Sequence, residues 1–77
     1  MKTYPVILER GLDGWIVASC PSIHGCISQG QTRAEALANI REAIELMLEA
    51  IEEKGWEKPL EFLEATTIDI EAEVLHE

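Results

Sequence analysis

The chain has 77 residues, 47% of them hydrophobic, with six lysines and arginines against fifteen aspartates and glutamates for a net charge of −9. That length allows one domain, residues 1–77, with one thin core: a domain this small buries only about 60–65% of its unfolded surface, which favours a homo-oligomer or a complex. No apolar run approaches the ~18–20 residues needed to cross a bilayer, and the N-terminus lacks the basic-then-apolar layout of a signal peptide, so the expected location is the cytoplasm, with no membrane partner and with Cys20 and Cys26 as reduced thiols.

The charge is divided unevenly. Up to Ala34 the chain carries Lys2, Arg10 and Arg33 against Glu9 and Asp13, a net of +1; from Glu35 onward it carries Arg41, Lys54 and Lys58 against thirteen acids, a net of −10. Such a surface repels phosphates, which argues against direct binding of nucleic acid and for a basic protein partner.

In chain order, Met1 to Arg10 reads as a strand, with Tyr4, Val6 and Leu8 on one side and Pro5 suited to an edge or to the strand's entry. Gly11-Leu12-Asp13-Gly14 is a turn rich in residues that tolerate positive φ. Trp15 to Cys20 is a second strand, apolar on both faces, so one face can meet a helix and the other a second copy or a partner. Pro21 to Gly25 turns the chain into a short third strand, Cys26 to Gln29, and Gly30-Gln31 bends toward a helix.

That helix is the best-marked element. Thr32 is an N-cap with Glu35 three residues on, which makes a capping box. Leu37, Ile40, Ile44, Met47, Leu48 and Ile51 recur at steps of three and four and form one apolar stripe. Gly55 supplies a left-handed C-cap and Pro59 bars continuation, so the helix is predicted from about Arg33 to Lys54. Trp56 to Ala65 follows as a connection whose apolar residues Trp56, Leu60, Phe62 and Leu63 are expected to close one end of the core. Thr66 to Val74 alternates cleanly, with Ile68, Ile70, Ala72 and Val74 inward and Asp69, Glu71 and Glu73 outward, and predicts a half-buried fourth strand.

Asp13-Gly14-Trp15, Pro21 with Gly25-Cys26, and then Gly30, Thr32, Glu35-Ala36 and Ala43, in that order and spacing, resemble the HicB-like antitoxin family. The resemblance covers about residues 3 to 54 well and the remainder by element order. It implies a partial RNase H-like fold, and a role in binding and neutralising a HicA-type toxin, a small basic RNA-cleaving protein. Many members also carry a C-terminal DNA-binding domain, for which a chain ending at Glu77 is expected to have no room.

Several residues carry groups capable of chemistry. An RNase H-like site requires carboxylates from separate elements to converge on a metal pair. Glu9 and Asp13 are available, but Asp69, Glu71 and Glu73 form a ladder along one strand. Cys20, His24 and Cys26 group three zinc-type donors around one turn without a local fourth, and read more simply as two small apolar residues and a solvated histidine. No catalytic residue, metal or cofactor is expected, and a metal-dependent hydrolase or zinc protein stands as the rival class.

The acids make the stronger case. Glu42, Glu45, Glu49, Glu52 and Glu53 crowd neighbouring turns of the helix, each like-charge pair costing about 0.2–0.5 kcal/mol, and the last of them oppose the helix dipole. A cationic partner would offset these costs; a solubilising face would carry them without one. Ala36, Ala43 and Ala50, spaced by seven, would allow a close approach to another backbone.

The fold expected is α+β, in the order β-β-β-α-β: an antiparallel meander with a fourth strand beside the first and one long helix across one face. The function expected is that of an antitoxin-like protein that occludes the RNA-binding surface of a small basic toxin. Asp69, Glu71, Glu73, Glu42, Glu45, Glu49 and Trp15 are the candidate contacts. The alternative is a self-associating binding or scaffold module without a toxin.

Overall fold

The computed structural model describes residues 2–71. Three short strands, β1 (Ile7–Arg10), β2 (Ile16–Ser19) and β3 (Ile27–Gly30), precede one long helix, α1 (Arg33–Lys54). The strands form an antiparallel sheet in the order β1-β2-β3. Leu8 lies opposite Ala18 and Ala18 opposite Ser28, while Ile7, Ser19 and Ile27 form the adjacent row. Because successive side chains alternate between faces, Leu8, Ile16, Ala18 and Cys20 point to the helix side and Ile7, Glu9, Val17 and Ile27 to the other.

The turns follow their residues. Gly11 N–H donates to the Trp15 carbonyl (2.7 Å) and Gly14 N–H to the Gly11 carbonyl (3.0 Å), with Gly14 at φ +90°. The Asp13 carboxylate accepts from the Trp15 amide at 3.0 Å, an Asx-type brace that fixes where β2 begins. In the second turn Cys20 N–H donates to the Cys26 carbonyl (3.0 Å), so the two cysteines face each other across the strand ends.

The helix begins and ends where its sequence places it. Thr32 Oγ1 accepts from the Glu35 amide (3.1 Å), and Gly55, at φ +68°, donates its N–H to the Ile51 carbonyl (3.0 Å). The capping box departs in one detail: the Glu35 carboxylate accepts from the Gln31 amide (2.6 Å), one residue before the cap. At 22 residues α1 is about 33 Å long. It crosses β3 and β2, with no comparably close approach to β1 among the described residues.

Ala18, Cys20, Ile23, Cys26, Ala36 and Ile40 form the buried core. Its tightest point is where Gly30 passes beneath the first turn of α1. A Cβ on Gly30 would stand 2.5 Å from the Ala36 amide nitrogen and 2.9 Å from Glu35, so only a glycine facing a small residue lets strand and helix meet there. Ala36 is thus engaged within the chain's own fold.

Three expectations are corrected. The first strand begins at Ile7 rather than Met1, because β2 ends opposite it at Ser19 and Pro5 has no amide to donate. The connection does not close the core: Trp56, Leu60, Phe62 and Leu63 are exposed, Leu63 at 84%. The predicted strand from Thr66 is not formed among the described residues. Thr66 to Glu71 pairs with no strand, and Ile68 and Ile70 are 80% and 67% exposed. Ala72, Glu73 and Val74 lie outside the described residues. Alternation dictates which side chains share a face, but a strand also needs an edge to pair with, and the segment does not run along one.

Gly30→Ala should lower stability by about 1–3 kcal/mol, since the backbone of α1 has to move to admit a methyl group. Thr32→Ala should cost about 1 kcal/mol through loss of one cap. Urea unfolding followed by circular dichroism measures both, and a neutral Gly30→Ala would mean that strand and helix are not held at this spacing.

Candidate partner-binding surface

The regular rise of α1 carries Glu42, Glu45, Glu49, Glu52 and Glu53 along its solvent side, and all five are exposed. Arg41 Nε lies 3.7 Å from Glu45 Oε2, an exposed i,i+4 pair worth about 0.3–0.5 kcal/mol, which leaves most of the negative field in place. The next cation, Lys54, sits with its ammonium 5.2 Å from the centre of the Trp56 ring. Leu46, four residues after Glu42 and three before Glu49, is 61% exposed along one margin of these acids, with half-buried Ala43 and Ala50 on its other flank. Sequence reasoning passed over it, although its absence from the apolar stripe was the available signal.

The other candidates are not gathered onto this face. Trp15, half-buried, adjoins the far side of the sheet by strand alternation, near Val17 and opposite to α1. That far side has no covering element among the described residues and also exposes Ile7 and Ile27. Asp69 and Glu71 are exposed on the segment that follows the connection, and Glu73 lies outside the described residues. The helix acids therefore form one continuous patch, while Trp15 and the late acids occupy separate surfaces.

The residues weighed for chemistry stay apart. Cys20 and Cys26 are buried free thiols, whereas His24 is exposed. Among the described residues no three histidine, cysteine or carboxylate side chains converge as a metal site would require. Asp13 is committed to the Trp15 amide, and Glu9 is exposed on β1. No helix among the described residues is long and apolar enough to cross a membrane.

Fold and surface now stand beside known proteins. The family model describing the HicB-like antitoxin of bacterial toxin–antitoxin systems matches residues 4–73. The chain belongs to the HicB-like antitoxin family. Relatives include a UPF0150 protein of Synechocystis sp., 54% identical over 48 residues, which are 62% of this chain and 61% of that protein. A UPF0150 protein of Thermoplasma acidophilum is 37% identical over 65 residues, 84% of this chain and 94% of that one. A 14.9 kDa protein encoded in the rep-hol intergenic region of Haemophilus phage HP1 is 41% identical over 56 residues, 73% of this chain. The chain thus spans about three-fifths of the Synechocystis protein's length, and the match covers 41% of the phage protein.

Burial, and secondarily the neighbouring Cys20, push the Cys26 thiol above its ordinary value of 9.0. A folded-state value raised in this way favours the protonated folded form. Its stabilising contribution is complete below the unfolded thiol's pKa and is lost as pH rises from there through the higher folded value. Urea titrations from pH 8 to 10 should show stability falling in the native protein and a shallower fall in Cys26→Ala.

Proposed function

We propose that this HicB-like protein neutralises a small, basic, RNA-cleaving toxin of the HicA type by covering its cationic RNA-binding surface, and that it does so as a binding protein rather than a catalyst. The observation that carries this reading is the exposed acidic face of α1 with exposed Leu46 along one margin of it. An apolar residue bordering a row of like charges suits an interface: the apolar side chain is desolvated on docking, and the charges steer the approach of an oppositely charged partner. Like charges spaced three and four residues apart weaken an isolated helix, and a cationic surface laid against them reverses the sign of that interaction. RNA and the acidic face would then compete for the same cations, so exclusion follows from charge as well as from shape. Asp69 and Glu71 offer a second acidic strip to the same partner, and Trp15 with Ile7 and Ile27 offers an apolar face on the other side of the sheet.

The alternative, a self-associating module, draws support from the exposed apolar residues after Trp56. Self-association through that segment leaves the acidic helix free, so self-association by itself does not distinguish the alternative; the absence of any toxin does.

Combined Glu42→Lys, Glu45→Lys and Glu49→Lys should slow association with the toxin at least tenfold at low salt, on the order of what electrostatic steering supplies, with the difference shrinking as salt is raised. Leu46→Ala should act instead on dissociation, by roughly tenfold for a loss of about 1–2 kcal/mol. Unchanged kinetics in all four positions, with an effect from Asp69→Lys and Glu71→Lys, would place the contact on the late segment.

A further inference from the structure

The segment after Gly55 first follows the body, lining one cavity with Ile23, Met47 and Ile51 and another with Lys2, Thr3 and Tyr4, and continues past Phe62 as an arm. Its backbone is tied to the rest by the Leu60 amide, which donates to the carbonyl of buried Ser22 at 2.8 Å, the one such backbone bond from residues 56–71 among those described. Beyond it Leu63, Ile68 and Ile70 are exposed. The radius of gyration, 14.8 Å, exceeds the roughly 11–12 Å of a compact chain of this length. Ile68 and Ile70 alternate with Asp69 and Glu71, which is the pattern of a strand with one face buried.

The body lacks such a strand at one place. The sheet order leaves β1 and β3 as its two edges. The β3 edge is partly engaged, because the Asn39 side chain donates to the Gln29 carbonyl at 2.8 Å. The β1 edge has no corresponding cover among the described residues, and α1 crosses β3 and β2 rather than β1. Tyr4, Val6 and Leu8 along β1 and its approach are consequently only half-buried, as are Ile44, Met47, Leu48 and Ile51 on the helix. A strand laid beside β1 with its apolar residues toward the helix would complete that half-covered layer.

We propose that the chain forms a two-fold dimer by exchanging arms: residues 66–71 of each copy add as a fourth strand to the β1 edge of the other. Ile68 and Ile70 then cover Leu8 and Val6 from the helix side, and Asp69 and Glu71 face out. The occupant is a second copy because the segment that fits the gap belongs to this chain and stands away from its own body. From Leu60 to Glu71 an extended chain spans about 36 Å, more than enough to leave one body and run along the four residues of another's β1. The exchange is self-complementary, so it closes at two copies, and the added strand with its Asp69 and Glu71 becomes the new edge of each sheet. Antitoxin activity is not assumed: the arm, the edge and the dimer stand or fall without any toxin.

Sedimentation of the full chain should give twice the monomer mass. Combined Ile68→Asp and Ile70→Asp should give monomers that keep the helical circular dichroism of the parent. Mixing a Glu9→Cys chain with a Glu71→Cys chain and treating with a short bismaleimide should give a covalent heterodimer that the parent protein, with its buried Cys20 and Cys26, does not form. A full chain that is monomeric at every concentration would overturn the proposal. So would a dimer that survives the double isoleucine substitution, or a mixture that yields no heterodimer.

Discussion

The contact between Gly30 and the first turn of α1 fixes the arrangement of the molecule. With no Cβ on the strand and a methyl group on Ala36, the helix starts almost in contact with β3, and the cap at Thr32 holds that start in place. From there α1 crosses β3 and β2. Two features follow from this seating: the side of the helix carrying Glu42, Leu46 and Glu49 faces solvent, and β1 is left at the margin of the layer with Leu8 and Val6 half-covered. The acidic surface and the open edge are both consequences of where one glycine allows the helix to sit.

A protein of this size has little core with which to offset the self-repulsion of a strongly acidic half. Among the described residues the buried hydrophobic set is six mostly small residues, and only Ile23 and Ile40 among them have large side chains. Such a domain gains from any association that buries more apolar surface or neutralises charge. Membership of the HicB-like antitoxin family supplies the biological setting for the second, and the exposed arm supplies the means for the first. The two proposed associations use different surfaces, so an arm-exchanged dimer would present two acidic helices.

The helix and its caps were legible in the sequence because their signals are local. Thr32, the three- and four-residue steps from Leu37 to Ile51, and Gly55 each act within a turn or two, and the structure places α1 at the same bounds. The meander was legible in order and in its turns, where Asp13, Gly14 and Gly25 govern their own backbone. The late strand was not, because Ile68 and Ile70 specify an apolar face but not the edge that receives it. The acidic patch at Glu42, Glu45 and Glu49 could be read from helical spacing, whereas Leu46 at its margin was passed over. Cys20, His24 and Cys26 read in sequence as two small apolar residues and a solvated histidine, and adjacent turn residues do point to opposite environments: both cysteines are buried and His24 is exposed.

Inhibition of RNA cleavage is the most direct test of the antitoxin reading. A small basic protein captured with this chain from the native host would be separated from it, supplied with RNA, and titrated with the purified chain at near-physiological salt. Cleavage is expected to stop when the two proteins reach stoichiometric amounts and to return as Glu42, Glu45 and Glu49 are reversed in charge. Cleavage that continues in excess antitoxin, or inhibition indifferent to those three residues, would contradict occlusion by the acidic helix.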